Sequence, residues 1–433
     1  MTRWRGAGIL LAAAAVLGIA GGARGQEGST DQRVKFHQAR VAADPDDPLA
    51  CNRLAGAYVQ KARETGDVTY YGLAETAARR SLSLLPRGPS AAAATTVVAL
   101  VHLARHEFGD AVARARQAFD LNPADATPHA VAGDALLELG EYEQAAEAYS
   151  RMQGLEGARR PDGRLAYLRF LHGDPAGAIA GMRAAVDAAR TANPRGEPVA
   201  WAHAQLGDLL FRAGDLGGAD AAFAEALTAA PGYHRALAGT ARVRAAQHRY
   251  ADAAGLYQRA LAVIPLPEYA AALGDVAARQ GRVPEARKHY ALVEYIGRLS
   301  ALNQAVYNRE LALFYADHDL KLPEALELAR RELEARRDVY THDVLAWALY
   351  KNGRAQEALA PMAEALRLGT RDARLLFHAG MIHHALGDTE VARTYLEQAL
   401  GLNPQFDPLQ AAVAGRTLAR LGVRPPGTPA TRP

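Results

Sequence analysis

The chain has 433 residues, 49% of them hydrophobic and 22% charged, with a formal net charge of +3. Basic and acidic residues are interspersed, so the basic stripe of a nucleic-acid binder is missing, and the single cysteine, Cys51, excludes an internal disulfide framework. Aromatic residues make up only 7% and no long alternation of β-branched residues occurs, which predicts an all-helical chain.

At the amino terminus Arg3 and Arg5 precede an apolar run from Gly6 to Ala20, followed by small residues and Arg24. Positive flank, short apolar core and small-residue exit are the three parts of a secretory signal. The run is shorter than the roughly 20 apolar residues of a membrane span, so residues 1–25 are expected to be cleaved after Gly25 and the protein to be periplasmic or secreted. Cys51 lies too far downstream to be lipidated at such a cut and is expected to be buried. Residues 26–46 form a polar lead-in, ended by the turn cluster Asp44-Pro45-Asp46-Asp47-Pro48, which caps the first unit.

Blocks of similar length follow. Block 49–91 carries the insertion ETGDVTYYG, in which Tyr70 and Tyr71 mark either a second contact site or a loop that nothing touches. Ser90, ahead of an alanine run, is expected to cap a helix. Block 92–125 has Ala111, Ala118 and Pro123, and block 126–158 has Gly133, Gly140, Tyr142, Ala145 and Tyr149. Block 159–199 keeps Gly173, Ala178 and Met182, then runs through TANPRGEPV. Its two prolines interrupt the period and predict a hinge at 191–199 between an array over 47–190 and another over 200–422.

The period is clearest next. Gly207, Gly214, Ala219, Phe223, Ala226 and Pro231 recur 34 residues later as Ala241, His248, Ala253, Tyr257, Ala260 and Pro265. Ala346, Gly353, Ala358, Met362 and Ala365 recur in the same phase as Gly380, Gly387, Ala392, Leu396 and Ala399. Within 200–233, Gly214 is placed to leave a first helix through positive φ, and Pro231 stops the second, giving a helical hairpin. Gly207 costs about 1 kcal/mol inside the first helix, and close approach of Ala219 is expected to offset it. Phe223 fills the space beside the next unit. Block 301–338 carries a second insertion, DHDLKLP. A last helix over FDPLQAAVAGRTLARLG is expected to cover the apolar face of block 373–406, and residues 423–433 are too rich in proline to pack.

The offsets Leu206-Gly207, Ala219, Phe223 and Pro231 resemble the tetratricopeptide repeat pattern, and the resemblance covers most of residues 47–422. It implies an all-α solenoid, a right-handed superhelix of about ten stacked helix-turn-helix repeats with a carboxy-terminal capping helix. In that family, set positions of each first helix face a concave groove that binds protein or peptide. Carried onto this register, they are Trp201, Asp208, Phe211 and Arg212, then Arg235 and Arg242, then Asp275 and Arg279. Tyr340, Asp343, Trp347, Tyr350 and Lys351 follow, and last Arg374, Phe377, Met381 and His384. Arginine beside large aromatics is the composition of interaction hot spots. Trp201, Trp347 and Phe377 have a second reading, packing against the neighbouring first helix. The family's carboxylate clamp does not carry over, because Arg53, Leu54 and Ala57 stand at its first-unit positions without the asparagine.

Signatures of chemistry are missing. No G-x-x-x-x-G-K-[ST], H-E-x-x-H or G-x-S-x-G run occurs, so neither catalysis nor a cofactor is expected. His102 and His106 with Glu107, the trio His378, His383 and His384, and Asp317-His318-Asp319 are the nearest approaches to metal spacing, and all read as packing or turn residues. The expectation is a non-enzymatic, exported scaffold for a protein or peptide partner, with no nucleic acid and no stable membrane insertion after cleavage. The alternatives are a metal-handling accessory using the scattered histidines and a membrane-tethered assembly factor for an envelope complex.

Overall fold

A computed structural model of the protein describes residues 29–156, 162–302 and 308–422. The expected signal segment 1–25 and the proline-rich residues 423–433 lie outside them. The described residues contain 22 helices and no strand. The polar lead-in itself is helical: α1 (Thr30–Ala43) opens with a capping box in which Ser29 accepts from Gln32 N–H and the Gln32 side chain accepts from Ser29 N–H. Asp47 then caps α2, its carboxylate accepting from the N–H groups of Leu49 and Ala50.

Ten antiparallel hairpins follow. In the first three, α2 (Pro48–Thr65) pairs with α3 (Thr69–Leu84), α4 (Gly88–Ala104) with α5 (Phe108–Leu121), and α6 (Thr127–Glu138) with α7 (Tyr142–Glu156). Next, α8 (Gly163–Leu171) pairs with α9 (Pro175–Ala192), α10 (Glu197–Arg212) with α11 (Leu216–Ala229), and α12 (His234–Ala246) with α13 (Tyr250–Val263). Then come α14 (Pro267–Arg279), α15 (Val283–Leu302), α16 (Asn308–Asp317) and α17 (Leu322–Ala335). The last hairpins are α18 (Val339–Lys351) with α19 (Ala355–Leu366) and α20 (Ala373–Leu386) with α21 (Thr389–Leu402). A single helix, α22 (Gln410–Arg420), ends the array, burying Ala414 and Leu418 beside Leu396 and Leu400 of α21. No described helix is long and apolar enough to cross a membrane.

One packing rule recurs through the hairpins. A small residue on the first helix stands 16 positions before a large one on the second, and the two touch. A Cβ built on Gly133 would lie 2.3 Å from the Tyr149 ring, on Gly207 2.6 Å from the Phe223 ring, on Gly274 2.1 Å from the Tyr290 ring, and on Gly380 2.8 Å from Leu396. Glycine is thus favoured at these sites by contact with the facing side chain rather than by backbone angle. The space at Gly207 is taken by Phe223, which replaces the expected approach of Ala219; that residue is also fully buried but is not the nearest neighbour. The Phe223 ring also meets Gly239 of α12, where a Cβ would lie 2.3 Å away, so one ring joins two hairpins. Gly214 does leave its helix at φ +82.

Two local expectations change. Ser90 is not a cap: Pro89 sets the first turn of α4, the helix therefore starts at Gly88, and the Ser90 hydroxyl accepts from Asn52 instead. The insertion after α2 is absorbed by Gly66 at φ +67 and by the first turn of α3, where the Tyr70 ring packs 5.9 Å from Tyr58. Cys51 is buried, and burial pushes its thiol pKa up.

The chain divides into two compact units. The first comprises Met1–Arg160 with Arg298–Val306, and the second Pro161–Gly297 with Tyr307–Pro433. Residues 191–199 lie within the second, where Gly196 N–H donates to the Ala229 carbonyl at 2.9 Å. The second unit closes on itself. Thr370 Oγ1 donates to the Leu171 carbonyl at 2.6 Å, and Asn403 Nδ2 donates to the Phe211 carbonyl at 2.7 Å. Arg212 pairs with Asp372. Gly173 and Gly214 permit the approach, because a Cβ on either would lie within about 2.5 Å of the Gly369 or Leu402 carbonyl oxygen.

Candidate functional site

The residues expected to face a partner all fall in the second unit, on α10, α12, α14, α18 and α20. They form three groups. In the first, Asp208 pairs with Arg242, whose guanidinium carbon lies 4.5 Å over the ring of buried Phe211. A substitution between repeats explains the pair. In two other hairpins the aspartate at this register accepts from the tyrosine 15 residues on, Asp134 from Tyr149 and Asp275 from Tyr290, each at 2.9 Å. Phe223 has no hydroxyl, so Asp208 is left for Arg242.

In the second group, Arg212 donates to the Tyr340 hydroxyl at 3.0 Å as well as pairing with Asp372, and its guanidinium lies 5.5 Å from both the Phe170 and the Tyr340 ring centroids. Burial alone lowers the pKa of such a cation, but Tyr340 and Asp372 outweigh it and raise it. Asp372 is held below the usual carboxylate range: burial works against ionisation, and Arg212, Arg374 and the N–H groups that it caps prevail. Arg374 itself is half-buried and has no ion-pair partner among the described residues. Arg235 is half-buried beside Tyr233, Tyr269 and Glu268, and its surroundings raise its pKa against the effect of burial.

In the third group, Trp347 is buried, its indole Nε1–H donating to Asp317 at 2.8 Å. Tyr350 and His378 stack on it, with centroids 4.9 and 4.1 Å away. Phe377 is buried between Trp347 and Phe406. Lys351 lies 5.4 Å from the Trp347 centroid and pairs with Asp319 at 2.6 Å. Trp201 is half-buried, with its ring 3.3 Å from the Cβ position of Gly163 on α8. Trp201, Trp347 and Phe377 therefore all make packing contacts with a neighbouring first helix.

Around the third group lies a polar network that the sequence patterns did not assemble. His318 Nε2 shares a hydrogen at 2.7 Å with Asp275, which also accepts from Tyr290, while His318 Nδ1 lies 2.7 Å from the Phe314 carbonyl. Burial opposes the charged imidazole, but the bonds and charge of Asp275, the Phe314 carbonyl and Asp317 push its pKa up to about 9. Asp317 accepts from Trp347 and from Gln410 Nε2. Asp407, in the turn ahead of α22, accepts from Leu409 and Gln410 N–H at 2.8 Å. Burial and the charges of Asp275 and Asp317 push its pKa up to about 6. The run Asp317-His318-Asp319 thus spreads its side chains over five partners, Trp347, Gln410, Asp275, the Phe314 carbonyl and Lys351.

Two of the carboxy-terminal trio of histidines have carboxylate partners. His378 is fully buried and bonded to Asp343 at 2.8 Å, and His383 lies 3.0 Å from Asp388. Among the described residues, His102, Glu107 and Asp110 are the group with ligand atoms within 4.8 Å of one another. His102 Nδ1 to Glu107 is 2.6 Å, a five-residue step repeated by His383 and Asp388 at the corresponding hairpin turn, where Val391 stands in place of Asp110. The step is a feature of the turn. His106 occupies that turn at φ +62.

The profile of the Tetratricopeptide repeat family matches residues 98–164, 204–265, 239–301 and 344–405, more than half of the chain. No curated protein matches it. Among solved structures the chain is similar to yeast Tom70, at 14% identity, 91% of this chain and 93% of that one, with a TM-score of 0.39. It is similar to human IFIT1, solved as a dimer with PPP-AAAA, at 14% identity, 87% of each chain and a TM-score of 0.46. It is also similar to PilW, a type IV pilus biogenesis factor, at 17% identity, 47% of this chain and 93% of that one, with a TM-score of 0.38. With hairpins in tandem and the profile recurring in phase along them, the chain belongs to the tetratricopeptide repeat family.

Proposed function

We propose that the protein is a non-enzymatic scaffold that binds a polypeptide partner on the first-helix face of the second unit. The observation that carries this reading is the run of fixed charged and aromatic groups on α10, α12, α18 and α20, with Arg374 half-exposed and unpaired among them. Such groups give affinity at small entropic cost, because neighbouring rings and carboxylates already hold them in place. Crosslinking in the native compartment, followed by mass spectrometry, should capture one stoichiometric partner. The yield should fall at least tenfold in Arg374→Glu with the helical signal unchanged, and equal capture by that variant would overturn the assignment.

Export belongs to the same proposal. It is supported by Arg3 and Arg5 ahead of the apolar run and by the small residues up to Gly25. Sequencing of the mature amino terminus is expected to begin at Gln26, in the periplasm or medium. A chain still carrying Met1 and sedimenting with membranes would favour the tethered assembly factor.

A further inference from the structure

Deepening that reading, we propose that the acceptor cluster at the start of α22 is a subsite for one arginine side chain of the partner polypeptide. Four elements bring hydrogen-bond acceptors to one place. Asp275 comes from α14, Asp317 from the end of α16, Asp407 from the loop before α22, and Gln410 from its first residue. The connections are direct. Gln410 donates its side-chain amide to Asp317 and its backbone N–H to Asp407, while His318, next to Asp317 in sequence, holds Asp275.

What remains unanswered in this cluster is acceptor capacity. Gln410 is only 7% exposed, and its Oε1 has no donor although the Nε2 of the same amide touches Asp317. A buried amide oxygen without a donor is costly, so a ligand that brings N–H groups is favoured there. Asp407 has no cation within ion-pair distance among the described residues, and the three carboxylates are half-buried rather than sealed. His378, Arg374 and His318 act on Asp317, whereas the charges felt by Asp407 are those of Asp275 and Asp317, so a cation is wanted on the Asp407 side of the cluster.

The spacing selects the kind of cation. The only described set of histidine and acidic groups close enough to share a metal ion is the one at His102, so Asp275, Asp317 and Asp407 stand too far apart to coordinate one ion together. A guanidinium is planar, carries five donors and spans separated acceptors, whereas an ammonium is a compact point charge. Arginine therefore fits better than lysine or a divalent metal.

The test uses the full chain and the peptide acetyl-Gly-Ala-Arg-Ala-Gly-amide, titrated by calorimetry and by chemical shifts of the Gln410 amide. Its citrulline analogue, free argininamide and calcium chloride serve as controls. The arginine peptide should bind at least tenfold tighter than the citrulline peptide, and at least threefold tighter than argininamide. Asp407→Asn keeps an acceptor for the Leu409 and Gln410 N–H groups and should weaken binding of the arginine peptide at least fivefold, as should Gln410→Met, which keeps the side-chain length. Equal binding of the citrulline peptide, no binding at millimolar peptide, unchanged affinity in both variants, saturation by calcium alone, or argininamide binding as tightly as the peptide would each overturn the proposal. Capture of a native partner equally by wild type and Asp407→Asn sinks this subsite and leaves the scaffold reading standing. An arginine peptide that binds while no partner is ever captured does the reverse.

Discussion

Phe223 sits with its ring against Gly207 of its own hairpin and Gly239 of the next, so a single side chain sets two interhelical distances. Removing it leaves a cavity on both sides, and Phe223→Ala is expected to cost about 3–5 kcal/mol in urea denaturation. Gly207→Ala should cost about 1–3 kcal/mol by overpacking, since its Cβ has nowhere to go but into the ring. In the Phe223→Ala background the same change should turn neutral or stabilising, because alanine is then simply the better helix former. The glycine was readable as one that required compensation, and the ring as buried. Which of the two met the other was not, because Ala219 and Phe223 lie four apart on one helix face and periodicity alone does not choose between them. Asp208 shows the same limit: the tyrosine that bonds this register in two other hairpins is replaced by Phe223, and Asp208 pairs with Arg242 of the next hairpin, which local spacing does not announce.

Between elements, charge does what apolar packing does elsewhere. His318 joins α16 to α14 through Asp275, and its folded pKa of about 9 lies above the ordinary value of 6.5. The group binds its proton more tightly when folded, so its contribution is fully present below pH 6.5 and is lost as pH rises through about 9. Chemical denaturation should therefore show stability falling over that window, with the slope reduced in His318→Gln and in Asp275→Asn; an unchanged slope in both would exclude this link. Asp407 runs the same way at lower pH. Its folded pKa of about 6 exceeds the ordinary value, so its presence favours the folded state most below the ordinary carboxylate pKa and loses that effect as pH rises through about 6. The repeat hairpins and the closing helix were legible in the sequence, since they follow from local spacing, glycine and proline, whereas α1 was not, because its residues 30–43 are polar and outside the repeat period. This network was not, because DHDLKLP reads locally as a charged turn, and its meaning depends on Tyr290 and Gln410, which local patterns do not place beside it.

On the largest scale, the second unit is a repeat array whose early and late hairpins are hydrogen-bonded to each other. Asp372→Asn keeps the cap on α20 but takes away the charge facing Arg212, and is expected to cost about 1.5–3 kcal/mol. The pair Thr370→Ala and Asn403→Ala should speed hydrogen exchange in both 163–214 and 370–402, whereas a simple open stack would fray only at its mutated end. No repeat pattern announces this closure, because the groups that make it lie 160 to 199 residues apart and two of them are backbone carbonyls. That separation has a consequence for biosynthesis. The hairpins from α8 to α11 leave the ribosome long before the residues that seal them, and the Phe211 carbonyl, which accepts from Gly214 N–H within its own hairpin, gains its second donor only when Asn403 has been made. Contacts so distant in sequence form late, so this unit folds with an open seam that only its final hairpin shuts.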